Sequence, residues 1–171
     1  PFVTEEMIKM MLKVGEKEGT IEKHEREIIH KVFDFTDEKA HGIMTPREEI
    51  VCVEESETLD VALKLINSSG HSRIPVYQGD LDNVIGMIYA KDFLKFRDSE
   101  LKRMKVYEIL RPIFVVKSGQ KISSMLKELQ QKKMNISVVM DDHNRVVGLI
   151  SIEDILEELV GEIFDEYDVI E

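Results

Sequence analysis

The chain has 171 residues, a formal net charge of −11, 43% hydrophobic residues and 33% charged residues. This composition is typical of a globular protein with a buried core, and the acidic balance disfavours nucleic acid and anionic lipid as partners. Cys52 is the single cysteine, which excludes an intrachain disulfide. No apolar run reaches the ~18 residues of a membrane span, so we expect no direct membrane insertion. The first residue is Pro1, which suggests a fragment of a longer protein.

The first forty residues predict two helices. Thr4 precedes two acidic residues and an apolar stripe at helical spacing, so it is expected to cap the first helix. The methionines of this helix favour a partner surface over a cofactor. Gly19 breaks the pattern, and Thr20 is the predicted cap of the second helix. We expect both helices to pack on the first of the two repeats that follow. His24 and His30 are six positions apart, which argues against a shared metal site.

One pattern occurs twice in the chain. Gly86-Met-Ile-Tyr-Ala-Lys-Asp92 is followed sixty-two positions later by Gly148-Leu-Ile-Ser-Ile-Glu-Asp154. In both, the glycine is expected to end a turn, the apolar residues to continue a strand, and the aspartate to stand where a helix begins. Such a junction suits the ribose and phosphates of a nucleotide. Two copies predict a duplicated domain folded around a shared cleft.

The repeat extends upstream of both copies. Residues 71–77 correspond to residues 134–140, and an amphipathic helical stretch precedes each. Its apolar residues are Leu59, Ala62, Leu63 and Ile66 in the first copy and Ile122, Met125, Leu126 and Leu129 in the second. Met44-Thr45-Pro46 and Leu110-Arg111-Pro112 each open a short β-rich run. Each unit therefore predicts the order strand, helix, strand, turn, strand, helix.

This order and these residues resemble a tandem pair of CBS domains over roughly residues 41 to 163. Residues 19–29, Ile43-Met-Thr-Pro-Arg47, Gly70-His-Ser-Arg-Ile-Pro-Val-Tyr77 and residues 155–168 together resemble the cytoplasmic part of CorC/HlyC-type proteins. That family includes magnesium and cobalt efflux proteins, haemolysin-like proteins and cyclin M transporters. The resemblance implies an α/β (α+β) fold with two tandem CBS domains in a pseudo-twofold module. The expected boundaries are 1–40 for a helical segment, 41–100 and 101–165 for the two CBS domains, and 166–171 for a tail.

The resemblance also implies a nucleotide site at the second motif. In the family, the hydroxyl and the aspartate of this motif contact the nucleotide, which assigns the roles to Ser151 and Asp154. A carboxylate can accept both ribose hydroxyls, and a helix N-terminus favours phosphate. Each cleft in such pairs draws on both repeats, so the other predicted site residues are Thr45, Pro46, Ser72, Arg73, Ile74, Pro75 and Ile152. Two alternatives stay open: Asp154 only caps its helix, and Arg73 only forms a surface ion pair.

The first motif departs from this pattern. Tyr89 stands at the position of Ser151, although Asp92 is retained, so an equivalent second site around Asp92 is doubtful. The expected ligand is an adenine nucleotide, that is ATP, ADP or AMP. Because ATP and the chain are both strongly negative, Mg²⁺ is expected to accompany it. No dedicated metal-binding motif appears, so the metal ligands are unknown.

The sequence favours one function over two others. The leading hypothesis is a cytoplasmic regulatory module, at the inner side of the cell membrane, that binds an adenine nucleotide and controls a CorC/HlyC-type magnesium or cobalt transport protein. Its expected partners are a second copy, through the CBS domains, and the transmembrane domain of the parent protein. The alternative is a structural dimerisation module without a nucleotide. An enzyme is disfavoured, because the histidines are scattered and no Walker A sequence or metal triad is present.

The C-terminal residues are strongly acidic. Residues 151–171 hold nine carboxylates and no basic residue. A solvated helix face and a cation-sensitive surface both explain this run.

Overall fold

A computed structural model describes residues 2–165 and the side chains as far as residue 161. The helices are α1 (Glu5–Lys17), α2 (Lys23–Asp37), α3 (Ala40–Ile43), α4 (Leu59–Ser69), α5 (Asp98–Arg103), α6 (Ile122–Lys132) and α7 (Ile152–Asp165). The strands are β1 (Thr45–Pro46), β2 (Val53–Glu54), β3 (Arg73–Gln78), β4 (Asp80–Tyr89), β5 (Phe114–Lys117), β6 (Ile136–Met140) and β7 (Val146–Ser151). None of the helices within this range is long and apolar enough to span a bilayer. The predicted tail and the last carboxylates of the acidic run lie outside the described residues.

The strands form two sheets of the same design. One has the order β2-β3-β4 and the other β1-β7-β6-β5. In the first sheet, β2 precedes α4 and pairs in parallel with β3, which forms an antiparallel hairpin with β4. In the second sheet, β5 precedes α6 and pairs in parallel with β6, which forms an antiparallel hairpin with β7. The predicted order of elements in each repeat is confirmed as far as this hairpin. After the first hairpin, however, the chain forms a 3₁₀-helix (Ala90–Lys95), whereas α7 follows the second.

The two repeats exchange short segments across a pseudo-twofold relation. β1 belongs to the first repeat but pairs antiparallel with β7 of the second, with Thr45 opposite Leu149. Conversely, Arg111 of the second repeat lies beside Met87 in β4 of the first, and the two residues exchange backbone N–H···O bonds of 2.8 and 2.9 Å. Each repeat therefore completes the sheet of the other.

The motif glycines lie at these crossings. Gly86 is inside β4 and Gly148 is inside β7, so the prediction that each glycine ends a turn is wrong. A Cβ atom on Gly148 would lie 2.7 Å from the carbonyl oxygen of Thr45, and one on Gly86 would lie 2.7 Å from that of Arg111. Only a residue without a side chain lets the crossing segment approach this closely.

Each repeat has its own hydrophobic core beneath its main helix. The predicted apolar faces are confirmed, since the helices α4 and α6 bury corresponding residues: Leu59, Ala62 and Ile66 in the first repeat, and Ile122, Met125 and Leu129 in the second. Leu63 and Leu126 are partly buried against the same cores.

In the N-terminal segment, α2 and α3 pack on the second repeat and α1 packs on α2, so the prediction that the helices pack on the first repeat is wrong. α2 contacts α6 and α7, and Phe35 and Ala40 belong to the second core. The backbone N–H of Ala40 donates to Gln120 (2.9 Å), and that of Ile122 donates to Glu38 (3.0 Å). The strand exchange explains this placement. Because β1 lies on β7, the helices that immediately precede β1 must reach the second repeat.

The predicted start of the first helix is confirmed, but that of the second is wrong. The hydroxyl of Thr4 accepts a hydrogen bond of 3.3 Å from the backbone N–H of Met7, as an N-cap should. The second helix begins at Lys23, with Glu22 rather than Thr20 at its N-cap. Thr20 donates its backbone N–H to Gly15 (2.9 Å), so it belongs to the turn that closes the first helix.

Candidate functional site

The second motif forms a reciprocal cap at the start of α7. The backbone N–H of Ser151 donates to Oδ2 of Asp154 (2.9 Å), and the backbone N–H of Asp154 donates to Oγ of Ser151 (3.1 Å). This is a capping box, in which two side chains satisfy two otherwise unpaired donors. The capping role of Asp154 is therefore real. It uses one carboxylate oxygen and leaves acceptor capacity on the other, since a carboxylate has about four lone-pair sites.

A cleft opens beside this cap, between the two repeats. It has a volume of about 190 Å³ and contains both apolar and polar side chains. Its lining residues are Thr45, Glu49, Ile50, Val51, His71, Arg73, Ile136, Leu149, Ser151 and Asp154. The lining combines four aliphatic side chains with the hydroxyls of Thr45 and Ser151 and the carboxylates of Glu49 and Asp154. Such a cleft suits a ligand that has a flat apolar part and a polar part.

Four of the predicted site residues meet in this cleft. Thr45 reaches it because β1 crosses to β7, and Arg73 reaches it from the start of β3. Ser151 and Asp154 complete the set from the second repeat. The two repeats are thus brought together at one site, although Thr45 and Asp154 are more than a hundred residues apart.

The other predicted residues lie around the cleft or beneath it. Pro46 is exposed in β1, next to the lining, and Ser72 lines a neighbouring cleft. Ile74 and Pro75 are buried in β3, and Ile74 is part of the first core. Ile152 is half-buried at the start of α7 and packs against the second core.

Several lining residues were not predicted from the sequence. Ile50 and Val51 are among them, and their closeness in sequence to the predicted site residues Thr45 and Pro46 could have indicated that they line the same cleft. Ile136 is the repeat counterpart of Arg73: Arg73 lies opposite Tyr89 in the first hairpin, and Ile136 lies opposite Ser151 in the second. Alignment of the two hairpins by these strand partners therefore places Ile136 at the position of the predicted site residue Arg73.

The first motif has a different chemistry. Nε and Nη2 of Arg111 donate to the two carboxylate oxygens of Asp92, at 2.7 and 2.8 Å. The Arg111 guanidinium holds the pKa of Asp92 below its usual value. It also lies 4.6 Å from the ring centroid of Tyr89. Both oxygens of Asp92 therefore face Arg111, the counterpart of Thr45, and the bulky ring of Tyr89 replaces the Ser151 hydroxyl.

A polar contact joins the two repeats near the cleft. Arg47 donates from Nη1 to Oδ1 of Asp82 and to the carbonyl oxygen of Val146, the latter at 2.7 Å. The backbone N–H of Val146 donates to the same Asp82 oxygen (3.0 Å). These bonds hold the pKa of Asp82 below its usual value, with the Arg47 hydrogen bond as the largest cause. The Arg47–Asp82 pair thus ties the first hairpin to β7.

Among the described residues, one group of side chains has the composition of a metal site. Glu22, His24 and Glu25, at the start of α2, place their ligand atoms within 4.8 Å of one another. Glu22 and Glu25 are exposed, and Glu25 accepts the backbone N–H of Glu22. His30 is not a member of this group.

Comparison with known proteins identifies the fold and the family. The CBS domain family matches residues 40–99 and 106–161. The magnesium and cobalt efflux protein CorC of Salmonella typhimurium is 36% identical over 168 residues, which are 98% of this chain and 57% of that protein. The chain therefore spans a little over half the length of this curated relative.

Two solved structures are similar over most of the chain. The CBS domain of a bacterial CNNM/CorC family Mg²⁺ transporter is 36% identical, with a TM-score of 0.88, over 93% of this chain and 97% of that one. A structure of such a domain in complex with ATP is 36% identical, with a TM-score of 0.78, over 80% of this chain and 97% of that one. These matches confirm the predicted fold of two tandem CBS domains. The chain belongs to the CBS domain family, as a tandem CBS module of the CorC/HlyC type.

Proposed function

We propose that this module binds an adenine nucleotide in the cleft at Ser151 and Asp154 and thereby regulates a transport protein. The observation that carries the proposal is that Thr45 lines the same cleft as Ser151 and Asp154, which cap the N-terminus of α7, together with apolar side chains from both repeats. The similar CBS domain in complex with ATP supports the choice of ligand.

The lining residues suggest how each part of the nucleotide is held. Asp154 is the acceptor for the ribose hydroxyls, through the oxygen that its cap leaves available. Ile136 and Leu149 pack against the base. Ser151 and the helix N-terminus lie where backbone N–H groups favour phosphate, and Arg73 adds a positive charge at the same cleft.

Magnesium is proposed to enter with the nucleotide. The chain has a net charge of −11, and ATP carries about four negative charges, so their association is unfavourable without a counter-ion. Glu49, an exposed carboxylate on the cleft lining, adds to this repulsion and is a hard oxygen ligand that suits Mg²⁺. Removal of Mg²⁺ is therefore expected to weaken ATP binding.

The proposed regulation of the transport protein depends on the fact that both repeats contribute residues to the cleft. Thr45 and Arg73 come from the first repeat, and Ser151 and Asp154 from the second, so a ligand that contacts both favours one relative arrangement of the repeats. We propose that this arrangement is passed to the transmembrane domain of a CorC-type magnesium or cobalt transporter, at the cytoplasmic side of the membrane. A homodimer formed through the CBS domains is part of this proposal, and catalysis is not.

The test is calorimetric titration of ATP, ADP and AMP, with and without Mg²⁺. Asp154→Ala removes both the proposed ribose acceptor and the cap, whereas Asp154→Asn keeps one acceptor for the Ser151 N–H. Thr58→Ala is the matched control, because the Thr58 hydroxyl caps α4 (3.4 Å to the Val61 N–H) and does not line the cleft. We expect saturable binding that is lost in Asp154→Ala, weakened in Asp154→Asn and unchanged in Thr58→Ala.

Two results would contradict this proposal. If none of the nucleotides binds to a folded, dimeric chain, the module is a structural dimerisation unit. If chelation of Mg²⁺ leaves ATP affinity unchanged, the magnesium part of the proposal is wrong.

A further inference from the structure

The first helix, α1, carries an apolar stripe on its exposed surface. The stripe consists of Met7, Met10, Met11 and Val14, which are between 48% and 73% exposed. Because these residues are spaced by three and four positions, they lie on one face of the helix. No residue of α1 is buried within the described part of the chain. An apolar surface of this kind indicates a site of interaction.

The opposite face of α1 holds the helix on α2. Glu16 forms an ion pair with Arg26, and Nζ of Lys9 lies 5.8 Å from the ring centroid of Phe33. Both of these partners belong to α2. Lys9 and Glu16 lie almost half a turn around the helix from the middle of the stripe, since each residue of a helix turns by about 100°. The stripe therefore faces away from α2.

The stripe keeps its pattern when the helix is reversed. Positions 7, 10, 11 and 14 map onto 14, 11, 10 and 7, so an antiparallel second copy of α1 fits the stripe of the first. In this arrangement Met7 of one copy packs against Val14 of the other, and Met10 packs against Met11. Methionine suits such a contact because its flexible side chain fills irregular gaps. The two copies are related by a twofold axis, the commonest symmetry of protein oligomers.

The charges beside the stripe fit the same arrangement. Glu6, Lys13 and Lys17 lie along one side of it. In an antiparallel pair this side of one helix meets the same side of the other, and Glu6 then lies between Lys13 and Lys17 of the second copy. A parallel pair would instead bring these charges to the side that holds Thr4 and Ile8, which are uncharged. Because charges beside an apolar seam select the orientation of paired helices, the pattern favours the antiparallel pair.

We propose that α1 forms a contact between two copies of this chain, in which the two apolar stripes pack in antiparallel orientation. The helix has 13 residues and lies outside the residues matched by the CBS domain family. Its length of about 20 Å is short for the ~1,200–2,000 Å² that a stable interface buries. The association is therefore expected to depend on protein concentration.

This contact is separate from the proposed dimer through the CBS domains, and it does not rest on nucleotide binding. Where that dimer forms, α1 joins one dimer to another. The test therefore follows the association step that depends on α1, whatever the smallest species in solution is.

The experiment is sedimentation velocity of the chain without nucleotide, from about 1 μM to about 1 mM protein. The average mass is expected to rise with concentration. Met10→Glu places a charge in the middle of the stripe, where the contact would bury it, and should weaken this association at least about tenfold. The variant is expected to stay folded because α1 buries no residue, and circular dichroism checks this.

Charge reversal tests the orientation of the two helices. Glu6→Lys should weaken the association about tenfold, because the twofold symmetry turns each attractive pair into a repulsive one twice. Addition of Lys13→Glu to Glu6→Lys should then recover part of the association, although Lys13→Glu alone weakens it. Glu5→Lys is the matched control, since it makes the same change of charge one residue away but alters a side chain that pairs with Lys9 on the other face. We expect the control to associate as the unchanged chain does.

The proposal is overturned if the average mass stays constant up to about 1 mM, or if Met10→Glu associates as strongly as the unchanged chain. If Lys13→Glu does not improve the association of Glu6→Lys, the antiparallel pairing is wrong. If the mass stays constant and the chain binds anionic lipid vesicles through Met10, the partner of the stripe is a membrane surface, which equally overturns the proposal.

Discussion

Replacement of Gly148 by alanine tests the strand exchange most directly. A Cβ atom at this position would lie 2.5 Å from Sδ of Met44 and 2.7 Å from the carbonyl oxygen of Thr45. The methionine side chain can rotate away, but the Thr45 oxygen belongs to the crossing backbone and moves only if β1 shifts on β7. Overpacking of this kind costs about 1–3 kcal/mol. For a chain of this length, 2 kcal/mol corresponds to a fall in melting temperature of about 4–8 °C.

The assay is thermal and urea unfolding followed by circular dichroism, together with ATP titration of the folded variant. Because Thr45 lines the proposed nucleotide cleft, Gly148→Ala is expected to weaken ATP binding as well as stability. Gly119→Ala is the matched control, since a Cβ there meets nothing within 4 Å, and we expect a change below about 0.5 kcal/mol. If Gly148→Ala is as stable as the control and binds ATP normally, the crossing segment does not require a glycine and the reasoning is refuted.

Three further predictions concern stability. The hydrogen bond from Arg47 lowers the pKa of Asp82, so the contribution of this carboxylate to the free energy of unfolding is present above about pH 4 and is lost as the pH falls through the lowered pKa. Asp82→Asn should therefore flatten the change of melting temperature with pH in this acidic range. Thr58→Ala should lower the free energy of unfolding by about 1 kcal/mol, whereas Thr4→Ala should increase only local hydrogen exchange, because the first helix buries no residue; equal global losses would contradict this. Leu129→Ala should cost about 2–5 kcal/mol in urea unfolding, since this side chain is fully buried in the second core, and a loss below 1 kcal/mol would show that the core is misassigned.

The repeat was the most predictable part of the fold. The apolar faces of the two main helices, represented by Leu59 and Ile122, are visible in the sequence because their spacing depends only on helical geometry. A capping role of Asp154 was one of two open alternatives, and its capping box with Ser151 is a local contact over three residues. Local periodicity and local contacts are what a single sequence expresses well.

Contacts over long sequence separations were less accessible. Arg111 was recognised only as part of a short run that corresponds to Met44-Thr45-Pro46, and its pairing with Asp92 depends on the crossing that brings the two together. The placement of Ala40 in the second core depends on the other crossing, that of β1 to β7. Gly86 and Gly148 mark the two crossings in the sequence, but a glycine alone does not distinguish a turn from a close approach of two backbone segments.

The exchange of segments means that each repeat, although it has its own hydrophobic core, borrows part of its sheet from the other. A chain cut between the two halves would separate Thr45 from Leu149 and Met87 from Arg111, which leaves each sheet with an unpaired edge. The arrangement is that of a domain-swapped dimer whose two subunits have been joined into one chain. Each half therefore depends on the other for one sheet partner, and we expect damage to one half to lower the stability of the other.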